Sequence, residues 1–187
     1  YVKWINPFNR KPQYVSFNKT RVIVFWTKDA FPIIPHLKEI NEKGIKYYFL
    51  FTLNDYENEG FELKVRNLDK RIDAFKMLSE KIGKEKVVWR FDPLILTDKI
   101  TVEGLLDRIF RVGNQIAGYT NKLVISFADI STYRKVQNNL LRKNISYKEF
   151  TPETMGAVAK GLNEINKSWG LEIATCSEEI DLEKYGI

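Results

Sequence analysis

Two opposite charges sit at the end of one apolar run, Arg90 and Asp92 within VVWRFDPLILTD (Val87 to Asp98), and these residues are the best placed in the sequence to do chemistry. Side chains of a strand alternate faces, so Arg90 and Asp92 project together while Val87, Trp89 and Phe91 share the other face. Pro93 is expected to end the run, because it has no N–H to give a ladder. Such a pair either closes the mouth of a sheet as a structural ion pair or works on a ligand, since α/β proteins bind ligands at the C-terminal ends of their strands. Other apolar runs also end in polar residues. RVIVFWT leads to Trp26, Thr27 and Lys28, IKYYFLFT to Thr52 and Asn54, KLVISF to Ser126 and Asp129, and LEIAT to Thr175, Cys176, Glu178 and Glu179. Together they form a crown suited to a small polar or anionic ligand, with Lys28 and Arg90 as charge partners. On this reading Arg90, Asp92 and Glu178 are the catalytic candidates. Trp26, Lys28, Thr52 and Ser126 are the substrate-binding candidates, and Cys176 is a metal ligand or nucleophile unless it packs as a small apolar residue. His36, alone in the entry turn of a helix, is expected at the surface.

The elements that must position these residues are legible from periodicity. Arg21–Thr27 is a continuous apolar strand of the kind covered on both faces of a parallel sheet, and Ile45–Thr52 is a second. Strands are also expected near Val87, Lys122 and Leu171, and Gln13–Phe17 reads as a short edge strand. Helical spacing recurs at Ile33, Leu37 and Ile40, at Leu68, Ile72, Phe75, Leu78 and Ile82, and at Leu105, Ile109, Val112 and Ile116. Thr151-Pro152 caps a further helix carrying Met155, Val158, Leu162, Ile165 and Trp169 on one face. The long polar stretch Leu53–Asn67 leaves a strand's C-terminal end, which favours an active-site loop over a tolerated insertion. Repeated βα units imply about five parallel strands. An incomplete (β/α) barrel in a single domain, residues 1–187, is the expected architecture, with an open doubly wound parallel sheet as the alternative. No Gly-x-Gly-x-x-Gly follows a strand and no P-loop motif occurs, which removes the main support for dinucleotide or P-loop chemistry.

Composition narrows the partners. The 187 residues carry a net charge of +6, with a pI near 9.2, which favours anionic partners in general. The basic segment containing Arg134, Lys135, Arg142 and Lys143 makes a nucleic-acid binding module the alternative function. One Cys and one His exclude an internal disulfide and a thiolate or imidazole metal site built within this chain alone, and fit a reducing, cytoplasmic compartment. No apolar run approaches the ~20 residues of a membrane-spanning helix. Tyr1 and Ile187 read as cut ends, so a fragment of a longer chain is expected.

The strand-end motifs resemble a known family, the domain of unknown function 1848. The matching pieces are VFWTK (Val24–Lys28), YYFLFTL (Tyr47–Leu53), VWRFDPLILTD (Val88–Asp98), VISF (Val124–Phe127) and ATCSEEIDLEKYGI (Ala174–Ile187). Trp26, Lys28, Arg90, Asp92, Cys176 and Glu178 fall on the family's recurring positions. The resemblance implies an additional N-terminal strand with a Ser-Arg-Arg-Thr-Asp-like motif and a C-terminal cysteine cluster similar to that of radical S-adenosylmethionine enzymes, both outside this sequence. It therefore implies the barrel portion of an iron–sulfur enzyme that uses S-adenosylmethionine, with neither cofactor bound by this chain alone.

Overall fold

The computed structural model of the chain describes residues 2–6, 9–62, 64–176 and 180–187, and the backbone alone of Lys135. In chain order the elements are β1 (Val2–Ile5), β2 (Pro12–Val15), β3 (Val22–Thr27), α1 (Leu37–Glu42), β4 (Lys46–Thr52), α2 (Leu68–Ile82), β5 (Val87–Leu94), β6 (Leu96–Thr97), α3 (Val102–Ile116), β7 (Lys122–Phe127), α4 (Arg134–Arg142), β8 (Tyr147–Lys148), α5 (Pro152–Asn166) and β9 (Glu172–Thr175). The five expected strands form one parallel sheet in the order β3-β4-β5-β7-β9, while β1 with β2 and β6 with β8 make two small antiparallel pairs. Spatial order follows chain order without a reversal, so each crossover steps one strand further in the same direction. The expected architecture holds as a mixed α/β fold with a five-stranded parallel sheet. Among the described residues the sheet is open at β3 and β9 and does not close into a barrel.

The helices cover one face of this sheet. Phe49, Phe51, Trp89, Phe91 and Ile125 are fully buried there, and Phe51 meets Phe75 of α2 edge to face at 5.3 Å. Leu105, Ile109, Val112 and Ile116 of α3 and Val158, Ala159 and Leu162 of α5 complete the same core. The starts of these helices are fixed locally: Asn67 accepts from the Lys70 N–H, Thr101 from the Gly104 N–H, and Thr151 with Thr154 forms a reciprocal capping box. The opposite face is different. Val22, Val24 and Trp26 of β3 are exposed, so the expectation that both faces of this strand are covered is corrected. A strand at the sheet's edge with helices on one side only must alternate, whatever its composition. The run from Val87 also differs from expectation, because β5 continues through Pro93 to Leu94, with an irregularity in its register against β7 between Phe91 and Leu94. A shifted register has no ladder bond at that point for the missing N–H to lose.

Trp169 closes the core beyond α5. Its ring stacks on Phe110 at 6.3 Å and meets Trp89 at 5.9 Å, and its Nε1 donates to Asn114 Oδ1 at 2.9 Å. Gly113 gives the ring its space, since a Cβ there would stand 2.1 Å from the indole. Replacing a mid-helix Gly by Ala ordinarily stabilises by about 1 kcal/mol. Here the clash with a held ring reverses the sign. Gly113→Ala should destabilise by about 1–3 kcal/mol, the usual cost of overpacking, read as a lowered urea midpoint with an unchanged slope.

Candidate functional site

Alternation along β5 sends Trp89 and Phe91 into the core and Arg90 and Asp92 to the open face, as the sequence required. The two are joined directly: Arg90 Nε and Nη2 both donate to Asp92 Oδ2, at 2.9 and 2.5 Å. Both side chains are about nine-tenths buried. Asp92 Oδ1 accepts from Thr52 Oγ1 at 3.1 Å, and Thr52 accepts from Trp26 Nε1 at 3.2 Å. The Trp26 ring lies 4.6 Å from the Arg90 guanidinium carbon, which closes the circuit as a cation–π contact. Asn54 Nδ2 donates to the Asp92 carbonyl at 2.8 Å. Burial opposes the charge on Arg90, yet the Asp92 carboxylate outweighs it and Cys176 adds a further hydrogen bond, so the guanidinium is held above its ordinary pKa.

This network floors a cleft of about 930 Å³ at the C-terminal ends of the strands, lined by Trp26, Arg90, Asp92, Ser126, Asp129 and Cys176 among others. Cys176 lies one residue past β9, and its N–H bonds the Ile125 carbonyl at 3.1 Å. It is exposed rather than packed beneath a helix. The remaining wall is largely apolar, with Ile130, Tyr133, Val136 and Met155. The hydroxyls of Thr132 and Ser131 hold the Asp129 carboxyl below the usual carboxylate range. Tyr133, 62% exposed at the rim of the cleft, was not among the expected site residues, because nothing in the sequence before the basic segment marks it.

Thr52 sits beneath Trp26 as a link in the network and does not line the cleft. Lys28 is turned away: its ammonium bonds Glu62 Oε1 at 3.0 Å, so it does not join Arg90 as a second cation. Glu178 lies outside the described residues, as do Ser177 and Glu179. His36 is exposed and pairs with Glu39. In the basic segment, Lys143 donates to the Gly60 carbonyl at 2.6 Å.

The long stretch after β4 is neither a free loop nor a loose insertion. It is an acidic strap pinned to the body by basic residues from three directions. Glu62 meets Lys28 and Arg71, Glu59 meets Arg108, Asp55 meets Arg111, and Arg66 reaches back to Asp29. Tyr56 is buried beneath it; its hydroxyl accepts from the Ile95 N–H and donates to the Pro93 carbonyl. The strap thereby grips the end of β5 immediately after Asp92. Burial pushes the Tyr56 phenol far above its usual range and lifts the Asp55 carboxyl, against the pull of Arg111 and Arg108. For Glu59 burial acts in the same direction, but the Arg108 hydrogen bonds and charge prevail and lower its pKa.

An iron–sulfur cluster is held by about four cysteine thiolates, whereas the chain has one Cys. Among the described residues no group of three or more His, Cys, Asp or Glu side chains could hold a metal ion. The donor set of this chain does not fit a cluster, and Cys176 is engaged by Arg90.

The sequence profile of one family, described as a domain of unknown function (DUF1848), matches residues 1–187, the whole chain. No curated protein matches. Among solved structures the chain is similar to one described as a "putative alpha-L-fucosidase" from Bacteroides thetaiotaomicron VPI-5482, at 11% identity, over 87% of this chain and 66% of that one, with a TM-score of 0.38. A likeness this distant says nothing about the chemistry of the cleft.

The strap gives a pH-dependent expectation. Glu59 has a lower pKa folded than unfolded, so its contribution is present above the unfolded value of about 4.3 and is lost as pH falls through the folded value. Glu59→Gln should cost about 1.5–3 kcal/mol at neutral pH, the range for a hydrogen bond to a charged group. The gap between wild-type and variant urea midpoints should narrow steadily on acidification through the carboxylate range. A gap that does not change with pH would mean that the carboxylate charge of Glu59 is irrelevant to the strap.

Proposed function

The chain belongs to the DUF1848 family, a domain of unknown function, and from the strand-end geometry we propose that it is the ligand-binding part of a (β/α)-barrel enzyme acting on a small anionic or polar molecule. The unreversed strand order and the one-sided helices support reading the sheet as an arc of such a barrel. The observation that carries the functional reading is Arg90. A guanidinium nine-tenths buried at the floor of an open cleft is held by Asp92 along its Nε–Nη2 side, so its orientation is fixed before any ligand arrives. Its remaining N–H groups are the part suited to an anionic group of the ligand, as carboxylates and phosphates favour the planar fork of arginine. Asp92 and Thr52 are positioning residues in this scheme. Trp26 shields one face of the guanidinium from water, which strengthens any charge pairing made there. Ser126 offers a hydroxyl to the ligand's polar edge, and the apolar wall of Ile130, Val136 and Met155 takes its body.

The test is a screen of small carboxylates and phosphates by saturation-transfer NMR on the wild-type chain and on Arg90→Lys. The lysine keeps the charge and loses the fork, so a ligand seated on Arg90 should bind at least about tenfold more weakly, a loss of about 1.4 kcal/mol, with the fold intact by circular dichroism. Binding of every hit unchanged in Arg90→Lys would overturn the assignment.

A further inference from the structure

The charge of the cleft runs against the charge of the chain. The protein carries +6, yet the charged residues lining the cleft are Arg90, Asp92 and Asp129, one cation against two carboxylates. Arg90 and Asp92 are bound to each other. Asp129 is the carboxylate left over, and among the described residues no basic side chain pairs with it. Its oxygens accept instead from the Ser131 and Thr132 hydroxyls, neutral donors that orient the group and favour its ionised form without cancelling its charge.

Asp129 and Arg90 stand at different depths. Arg90 is in register with Val124 on β7, whereas Asp129 lies past the end of that strand at Phe127. The Arg90 side chain is nine-tenths buried at the floor, while Asp129 is exposed at the rim. Tyr133, on the segment that carries Asp129, adds an exposed ring to the same lining. An aromatic ring and an unpaired carboxylate on one wall favour an ammonium group, through charge and cation–π attraction together. The strands that set these positions, β5 and β7, are each paired on both sides, so the arrangement belongs to the interior of the sheet and not to its margins.

A purely anionic ligand would add negative charge to a wall that already has an excess of it. A ligand that also carries a cation would not. Granted Arg90 as the seat of the anionic group, on which this rests, we infer that the ligand is amphoteric: its carboxylate or phosphate sits on Arg90, and a protonated amine of the same molecule lies at the rim against Asp129 and Tyr133. The body between them runs along Ile130, Val136 and Met155. Asp129 is then a specificity residue, which attracts amino carboxylates and amino phosphates and repels dianions of similar size.

The probes are amino carboxylates of increasing chain length, beginning with glycine, and aminoalkyl phosphates, each matched with the same acid lacking the amine. Affinities are measured by NMR titration of the wild type, Asp129→Asn and Arg90→Lys. In the wild type at least one amine-bearing probe should bind about tenfold more tightly than its match, the effect of one hydrogen bond to a charged group. Asparagine keeps an oxygen for the neighbouring hydroxyls and loses the charge, so in Asp129→Asn the preference should shrink to within about twofold, with the amine-free acids bound as in the wild type or more tightly. In Arg90→Lys both members of each pair should weaken together. Amine-free acids that depend on Arg90 but show no gain from the amine at any length, or a gain that survives Asp129→Asn, would overturn the amphoteric ligand and leave Arg90 as the anion seat. Binding that ignores Arg90→Lys, or no binding by any probe, would overturn both.

Discussion

Two opposite charges share nine-tenths burial at the centre of the open face, and the arrangement around them follows from that cost. Removing a carboxylate and a guanidinium from water costs several kcal/mol per ion, which their attraction offsets only when the remaining hydrogen-bonding capacity is met. Partners around Arg90 and Asp92 come from two strands and from the chain just past two: Trp26 on β3, Thr52 on β4, Asn54 just past β4, and Cys176 just past β9. The network therefore ties the strand ends laterally at the level where backbone pairing stops. Helices on the far face hold the sheet from behind. The circuit of side chains sets the spacing of the strand ends in front.

How much of this was legible in the sequence depended on whether the cause was local. Alternation along VVWRFD is a property of the backbone, so the shared face of Arg90 and Asp92 could be read directly, as could the Thr151 cap and the Leu105–Ile116 stripe. Edge position is not local. RVIVFWT has the composition of a covered strand, and only the sheet order reveals that β3 lies at the margin with half its side chains in water. Lys28 failed for a related reason, since its nearest carboxylate, Glu62, is brought to it by the strap rather than by its own strand. Pro93 misled because a register irregularity, invisible in composition, relieves the strand of the bond that proline cannot make.

The strap is where sequence reading was weakest and where the structure adds most. Its position after a strand's C-terminal end suggested an active-site loop. Its acids find cations on three parts of the body: Lys28 after β3, Arg71 on α2, and Arg108 and Arg111 on α3. A loop held largely by charge can be rigid with little hydrophobic core of its own, and among its described residues Leu53 and Tyr56 are the fully buried apolar side chains. Through Tyr56 its rigidity reaches the backbone just beyond Asp92, so the site's geometry is coupled to ion pairs that do not touch the cleft.

The unreversed order of the sheet also bears on how the chain assembles. From β4 onward, each strand of the parallel sheet pairs with the strand of that sheet that precedes it in the sequence, so none of these must wait for a distant segment before it has a template. Loop-closure entropy is met in modest instalments rather than in one large step. A sheet that grows in this way can add units in the order in which they leave the ribosome.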